Sequence, residues 1–230
     1  MSRAPVAGQT KTRLIPTLGA EGARDFHVAC LNDLMHTIRY WKERSEEEGM
    51  TLYPHLTITP SDSKPAFLDA GVAWPKDFFV HNQQGESLGE RMASDMERAL
   101  DTIIPSTGER IGGALLLGSD LPLLRRRHLD MAARALETAD VVLGPTMDGG
   151  YYLIGMKRFH PELFAIDGWG GMSILDQSLE VARKAGLTTA LAPRLPDADT
   201  GEDLRVILGH AAQDELNRSD ALKFVRKHLS

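Results

Sequence analysis

Short runs rich in apolar and β-branched residues alternate with stretches of helical periodicity along almost the whole chain, and this alternation constrains the fold most. Strands at Leu52–Thr59, Phe78–Val80, Gly112–Leu117, Val141–Leu143, Tyr151–Ile154 and Thr188–Leu191 are expected from their composition and their Pro and Gly boundaries. Between them the apolar residues recur every three to four positions. Phe26, Cys30, Leu34 and Ile38 mark a long helix over Gly19–Ser45, and further helices are expected over Ser87–Ile104, Arg125–Thr138, Ser173–Ala185 and Thr200–Leu208. Strands alternating with helices predict an α/β fold with a mostly parallel sheet covered by helices on both faces, a three-layer α/β/α arrangement. The run Gly112–Leu117 reads as a strand buried on both faces of that sheet.

Length and composition narrow the reading. With 230 residues, 42% hydrophobic and 25% charged, the chain suits one domain spanning residues 1–230. The formal charge of −6 argues against nucleic acid as a partner, because that binding rests on basic residues neutralising phosphate. No run of 18 apolar residues occurs, so no membrane span is expected. A single cysteine, Cys30, lies among apolar helical positions and reads as a buried small hydrophobe in a reducing, cytoplasmic compartment. The eight histidines show no zinc-ligand spacing.

In such sheets ligands bind beyond the carboxyl ends of the strands, so the residues that follow each strand carry the functional argument. Asp120, in Gly118-Ser119-Asp120-Leu121-Pro122, sits there and suits a hard divalent cation, although D-x-P is also an ordinary turn. The loop Pro5–Leu14 joins Gly8, whose neighbouring amides could cradle a phosphate, to the cations Lys11 and Arg13; a flexible basic terminus is the plainer reading. It is neither a Walker loop nor a G-x-G-x-x-G fingerprint. Ser87 and Glu90 form a capping box, and Arg91, in the first helical turn where a cation is disfavoured, is a candidate anion ligand or simply an exposed arginine. Asp148, in Asp148-Gly149-Gly150, could orient or deprotonate a hydroxyl; Asp-Gly is equally a hairpin turn. Thr200 and Asp203 make a second capping box, and Asp199 before it is a candidate second metal ligand opposite Asp120. Trp169 could stack on a base or sugar, or pack in the core, and Arg125–Arg127 read as a solvated helix face within reach of an anionic acceptor.

Five segments in order resemble a bacterial family of proposed glycosyltransferases, domain of unknown function 2064, some of whose members are named for arsenosugar biosynthesis or for association with radical-enzyme operons. They are Pro5–Leu14 with its KTRL, Gln83–Met92 with LGERM, Gly118–Leu123 with GSDLP, Asp140–Gly155 with DGGYYLIG, and Leu195–Leu204 with LPDADT and EDL. The resemblance spans nearly the whole chain, and chance agreement of all five is remote. It implies the GT-A-like nucleotide-diphospho-sugar transferase fold, a nucleotide sugar and a small-molecule acceptor as ligands, and Mg2+ or Mn2+ as cofactor. It matches Asp120 and Asp199 to the metal site and Lys11 and Arg13 to the phosphate loop. The chain departs from the pattern in three places. The strand that normally precedes the KTRL loop is missing, so either this fold lacks its first strand or the start is internal to a longer product. Ser87 replaces the usual N-cap aspartate, and Gly201 replaces the usual proline after the Asp-Thr pair.

The expected activity is therefore metal-dependent transfer of a glycosyl group to a small acceptor, in a chain compatible with a homodimer. Alanine at Asp120 is expected to abolish metal-dependent turnover and leave the thermal midpoint nearly unchanged. The KTRL loop also resembles that of 2-phospholactate guanylyltransferases, which makes nucleotidyl transfer with pyrophosphate release the alternative. A non-catalytic nucleotide-binding protein is the third reading.

Overall fold

The computed structural model describes residues 1–166, 168 and 173–229. The chain folds as two compact units, both discontinuous in sequence. Trp169 lies outside the described residues.

The first unit comprises residues 1–82, 119–126 and 196–230. Its sheet is parallel, in the order β1 (Ser2–Arg3), β2 (His55–Thr59), β3 (Phe79–Asn82). Ser2 pairs with Ile58 and Arg3 with Thr59, and Ala4 extends the pairing through its amide to the Thr59 carbonyl at 2.7 Å. The first strand is thus present as a two-residue strand, which corrects its expected absence. Two residues are too few to show an alternating pattern, so only the pairing with β2 identifies them.

Helix α1 (Ile15–Glu47) joins β1 to β2, and a helical crossover of this kind is what a parallel pair requires. The backbone departs from helix at Gly19, φ 73° and ψ 168°, so the periodic stretch begins there, as expected. Val28, Leu31 and Met35 pack with Ala4, Leu56, Ile58, Phe67, Val72 and Phe78 into one core. Phe67 belongs to α2 (Lys64–Asp69), a short helix that the sequence pattern did not reveal.

The remaining helices of this unit are α6 (Gly201–His210), α7 (Gln213–Arg218) and α8 (Asp220–Leu229). The last two also escaped the sequence reading. Helix α8 is capped by a residue of α1: Asp33 accepts hydrogen bonds from Ser219 Oγ at 2.6 Å and from the Asp220 and Ala221 amides at 3.0 Å.

The second unit comprises residues 83–118 and 127–195. It holds α3 (Leu88–Leu100) and a four-stranded sheet. The sheet is built from β4 (Ala114–Leu117), β5 (Val141–Pro145), β6 (Tyr151–Met156) and β7 (Thr189–Leu191), in the order β4-β6-β5-β7. Helix α4 (Arg126–Thr138) precedes β5, and α5 (Ile174–Lys184) precedes β7. Strand β6 is antiparallel to both β4 and β5, while β5 and β7 are parallel. Three of the five strand pairings in the two sheets are therefore parallel. The apolar run in β4 does not lie between parallel partners on both faces: it pairs antiparallel with β6, and Leu115–Leu117 are half-buried. An apolar run reports burial, and says nothing about the direction of the neighbouring strand.

The Asp-Gly turn closes the β5–β6 hairpin, as its plainer reading predicted. Gly155 lets β6 sit between its neighbours. A Cβ there would lie 2.4 Å from a Leu115 methyl and 2.8 Å from a Val142 methyl.

Both expected capping boxes are present. The Glu90 amide donates to Ser87 Oγ at 3.2 Å, and the Ser87 amide donates to Glu90 Oε2 at 3.3 Å. Asp203 and Thr200 repeat the arrangement at α6.

Candidate functional site

The loop after β1 is held by its own backbone. Thr10 Oγ1 donates to the Ala4 carbonyl at 2.7 Å and accepts from the Val6 amide at 3.1 Å. The Gln9 and Thr10 amides both bond the Val6 carbonyl at 3.0 Å. Those two amides are spent on the turn rather than left for the phosphate expected beside Gly8. Gly8 itself turns the chain at φ 78°, a left-handed conformation suited to glycine.

Lys11 also adopts a left-handed backbone, φ 52° and ψ 45°, at a cost of about 1 kcal/mol for a residue with a Cβ. The turn Thr12–Leu14 follows, anchored by the fully buried Leu14. Strain in a loop so closely pinned implies that the position of the lysine side chain is the feature being held.

That side chain reaches three acceptors. Lys11 Nζ lies 2.7 Å from the Ala198 carbonyl, 2.8 Å from Asp120 Oδ2 and 2.9 Å from Asp199 Oδ1. An ammonium has three N–H donors, and here each has an oxygen. Lys11 is only 6% exposed, whereas Asp120 and Asp199 are 33% and 39% exposed. The cation is enclosed, and the carboxylates around it keep an open side.

The carboxylates come from separate segments that the backbone ties together, since the Ala198 amide donates to the Asp120 carbonyl at 3.3 Å. Asp199 stands just before α6, where its amide donates to Asp203 Oδ2 at 3.2 Å. Its second oxygen lies 3.4 Å from Arg13 Nη1, and Arg13 is 70% exposed. Structure therefore brings Lys11, Arg13, Asp120 and Asp199 together, from three separated stretches of sequence.

One member of the cluster was not expected. His27, 3% exposed, places Nδ1 3.3 Å from Asp120 Oδ1 and Nε2 3.1 Å from the Arg3 carbonyl. Ser2 Oγ lies 3.3 Å from the same Nε2, and Ser119 Oγ donates to Asp120 Oδ1 at 3.3 Å. The imidazole links the first strand to the key carboxylate. Its signal was available, since Ala23, Phe26, His27, Cys30, Leu31 and Leu34 form the buried stripe of α1 and a histidine interrupts it.

Electrostatics follow from this arrangement. Burial works to lower the Lys11 pKa, but the charges of Asp120 and Asp199 and their hydrogen bonds outweigh it and raise the value above the ordinary lysine range. Burial works to raise the Asp120 pKa, but the Lys11 charge and the His27 contact outweigh it and hold the carboxyl well below its ordinary range. Both groups are charged at neutral pH. Cys30 is buried nearby, and burial first, then the Asp120 charge, pushes its thiol well up, so it is no nucleophile.

The pair Asp120 and Asp199 suits a hard divalent cation in kind, as two carboxylates converging on one point. The pair is short in number. Among the described residues no group of three or more His, Cys, Asp or Glu side chains is arranged to hold an ion. An ion held here would complete its shell with water and substrate phosphate, as Mg2+ commonly does.

The other candidates are engaged elsewhere. Arg91 and Asp148 belong to the second unit. Arg91 Nε donates to the Gly85 carbonyl at 3.0 Å, within its own loop. Asp148 Oδ1 accepts from Thr146 Oγ1 at 2.5 Å and from the Gly150 amide at 3.0 Å, which stiffens the hairpin turn. Arg125 and Arg126 do not form a solvated face: Arg125 bonds the Pro122 and Leu124 carbonyls and pairs with Glu215, and Arg126 pairs with Glu48. Among the described residues no helix is long and apolar enough to cross a membrane.

The family DUF2064, described as "Uncharacterized protein conserved in bacteria", matches residues 49–171, more than half of the chain. That stretch includes Asp120 but neither Lys11 nor Asp199. A 2-phospho-L-lactate guanylyltransferase of Methanopyrus kandleri (strain AV19) is 28% identical over 220 residues, covering 92% of this chain and 93% of its own. The crystal structure of a "putative nucleotide-diphospho-sugar transferase" from Desulfovibrio desulfuricans G20 superposes with a TM-score of 0.82 at 27% identity. It covers 98% of this chain and 91% of the other. The fold is that of the nucleotide-diphospho-sugar transferases, and both relatives are named as transferases.

Proposed function

This chain belongs to the DUF2064 family, and we propose that it is a transferase moving a sugar from a nucleotide sugar to the hydroxyl of a small acceptor. The observation that carries the reading is the chain of ion pairs joining Asp120 to Lys11 at 2.8 Å, Lys11 to Asp199 at 2.9 Å and Asp199 to Arg13 at 3.4 Å. Two carboxylates and two cations in one partly open cluster suit the phosphates of a nucleotide together with a divalent ion. A likeness to the Desulfovibrio protein over almost the whole chain supports sugar transfer.

Arg13, the most exposed of the four, meets the incoming diphosphate first. Lys11 adds its charge where the departing diphosphate becomes more negative. Asp120 and Asp199 would hold Mg2+ or Mn2+, which supplies further neutralisation of that leaving group. His27 fixes Asp120 from beneath and so positions it.

Nucleotidyl transfer is the second reading, favoured by the likeness to the guanylyltransferase over more than nine-tenths of both chains. The two reactions differ in what leaves. Turnover over a panel of nucleoside triphosphates and nucleotide sugars with Mn2+ is expected to release a nucleoside diphosphate and no pyrophosphate; release of pyrophosphate from a triphosphate would replace the first reading with the second. Asp120→Asn is expected to lower kcat at least a hundredfold.

A further inference from the structure

Lys11 places its positive charge against both Asp120 and Asp199, the two carboxylates that would hold the metal. Its ammonium is within 2.9 Å of an oxygen from each carboxylate, and its third donor is taken by the Ala198 carbonyl. The remaining carboxylate oxygens are also engaged: Asp120 Oδ1 faces His27 and Ser119, and Asp199 Oδ2 faces Arg13. With its donors filled, Lys11 in this arrangement has none to offer a phosphate. With that ammonium and Arg13 in place, the two carboxylates meet an arriving divalent ion with their charge already balanced.

We propose that Lys11 is the resident counter-cation of the Asp120–Asp199 pair, so that the divalent ion enters only together with the phosphates that take Lys11 over. This rests on the proposed assignment of Asp120 and Asp199 as metal ligands. The exchange moves one charge by a short distance. The lysine ammonium leaves two carboxylates and gains phosphate oxygens, while the ion gains the carboxylates. Lys11 is suited to this because its charge is compact and sits on a flexible four-carbon stem, whereas a planar guanidinium is fixed by its fork geometry. The stem is enclosed, so water alone is a poor new partner for the ammonium, and phosphate is the partner the exchange requires. Metal and phosphate ligand are then coupled, and by linkage each tightens the other by the same factor. The protein's substrate is accordingly the metal complex of its nucleotide, and free Mg2+ or Mn2+ does not preload the site.

The test is Mn2+ binding to the full chain without nucleotide, followed by electron paramagnetic resonance of the free ion, in wild type, Lys11→Met and Lys11→Gln. The glutamine variant covers a failure of the methionine variant to fold. Removing the ammonium is expected to tighten Mn2+ at least tenfold, and Mn2+ should raise the melting temperature of the variants but not of wild type. With inorganic pyrophosphate as the phosphate probe, and the Mn2+–pyrophosphate complex in solution accounted for, wild type should bind the ion and the probe cooperatively. The variants should show less of that coupling. Equal Mn2+ affinities in wild type and variants, with or without pyrophosphate, would overturn the exchange while leaving the metal ligands in place. No Mn2+ bound by any of the three proteins under either condition would overturn the metal assignment itself.

Discussion

Asp120 carries two roles, and its substitution by alanine exposes both. The carboxylate is the proposed metal ligand, and it is also the nearest counter-charge of an ammonium that is 6% exposed. Truncation leaves Lys11 with Asp199 and the Ala198 carbonyl, and leaves His27 Nδ1 without its carboxylate. Losing one partner of an enclosed charge pair costs about 1–3 kcal/mol where a second carboxylate remains. Asp120→Ala is thus expected to melt several degrees lower, since each kcal/mol is worth roughly 2–4 °C in a chain of this size. The sequence suggested the opposite, a silent change in stability, because a residue in a D-x-P turn carries no sign of the lysine 109 positions upstream that folds onto it. A thermal melt of the purified variant decides: an unchanged midpoint would mean that Lys11 does not depend on this carboxylate.

At the scale of elements, what could be read was what is local. Capping boxes at Ser87 and Thr200 declare themselves within four residues, and the β5–β6 hairpin declares itself in Asp148-Gly149. Helix α8 does not, because the side chain that caps it is Asp33 of α1, more than 180 residues away. Strand β1 is defined only by its partner β2, and nothing near His27 in sequence shows that its ring faces Asp120. The cluster's residue types were legible, but their mutual distances were not. Gly201 shows the same limit. It stands where the resemblance places a proline, and a Cβ there would lie 2.3 Å from Thr17 Oγ1 and 3.2 Å from Thr17 Cβ, so the first turn of α1 packs against bare backbone. Gly201→Ala is expected to destabilise by about 1–3 kcal/mol through overpacking, despite alanine's better helix propensity. Thr17→Ala removes the oxygen and methyl that collide and should recover most of that loss. A double-mutant cycle from urea titrations measures the coupling, and strictly additive effects would show that the two residues do not touch.

For the whole molecule, the ion cluster sets limits on the pH range of stability. Lys11 has its pKa raised on folding, so its contribution is complete below the unfolded value of about 10.4 and is lost as the pH rises beyond it. Asp120 has its pKa lowered, so its contribution is complete above the unfolded value of about 3.9 and is lost as the pH falls below it. Stability should therefore be level between these values and fall away on both sides. Other groups share the two limbs. Tyr152, pushed up to about 12 by burial, has the sign of Lys11, and Asp140 and Glu180 have the sign of Asp120. Glu180 is at the surface, where added salt screens Arg183 and Lys184, whereas the enclosed pair is screened much less and Asp140 is held by hydrogen bonds from Thr188 that salt does not screen. Urea unfolding across pH 3–11 in high salt should thus leave an acid limb shared by Asp120 and Asp140. Asp120→Asn should flatten its share of that limb and spare most of the alkaline one, while Lys11→Met should weaken both, because it removes the charge that holds Asp120 ionised. An acid limb unchanged in Asp120→Asn would place the molecule's acid sensitivity elsewhere and deprive the cluster of its role in holding the first unit together.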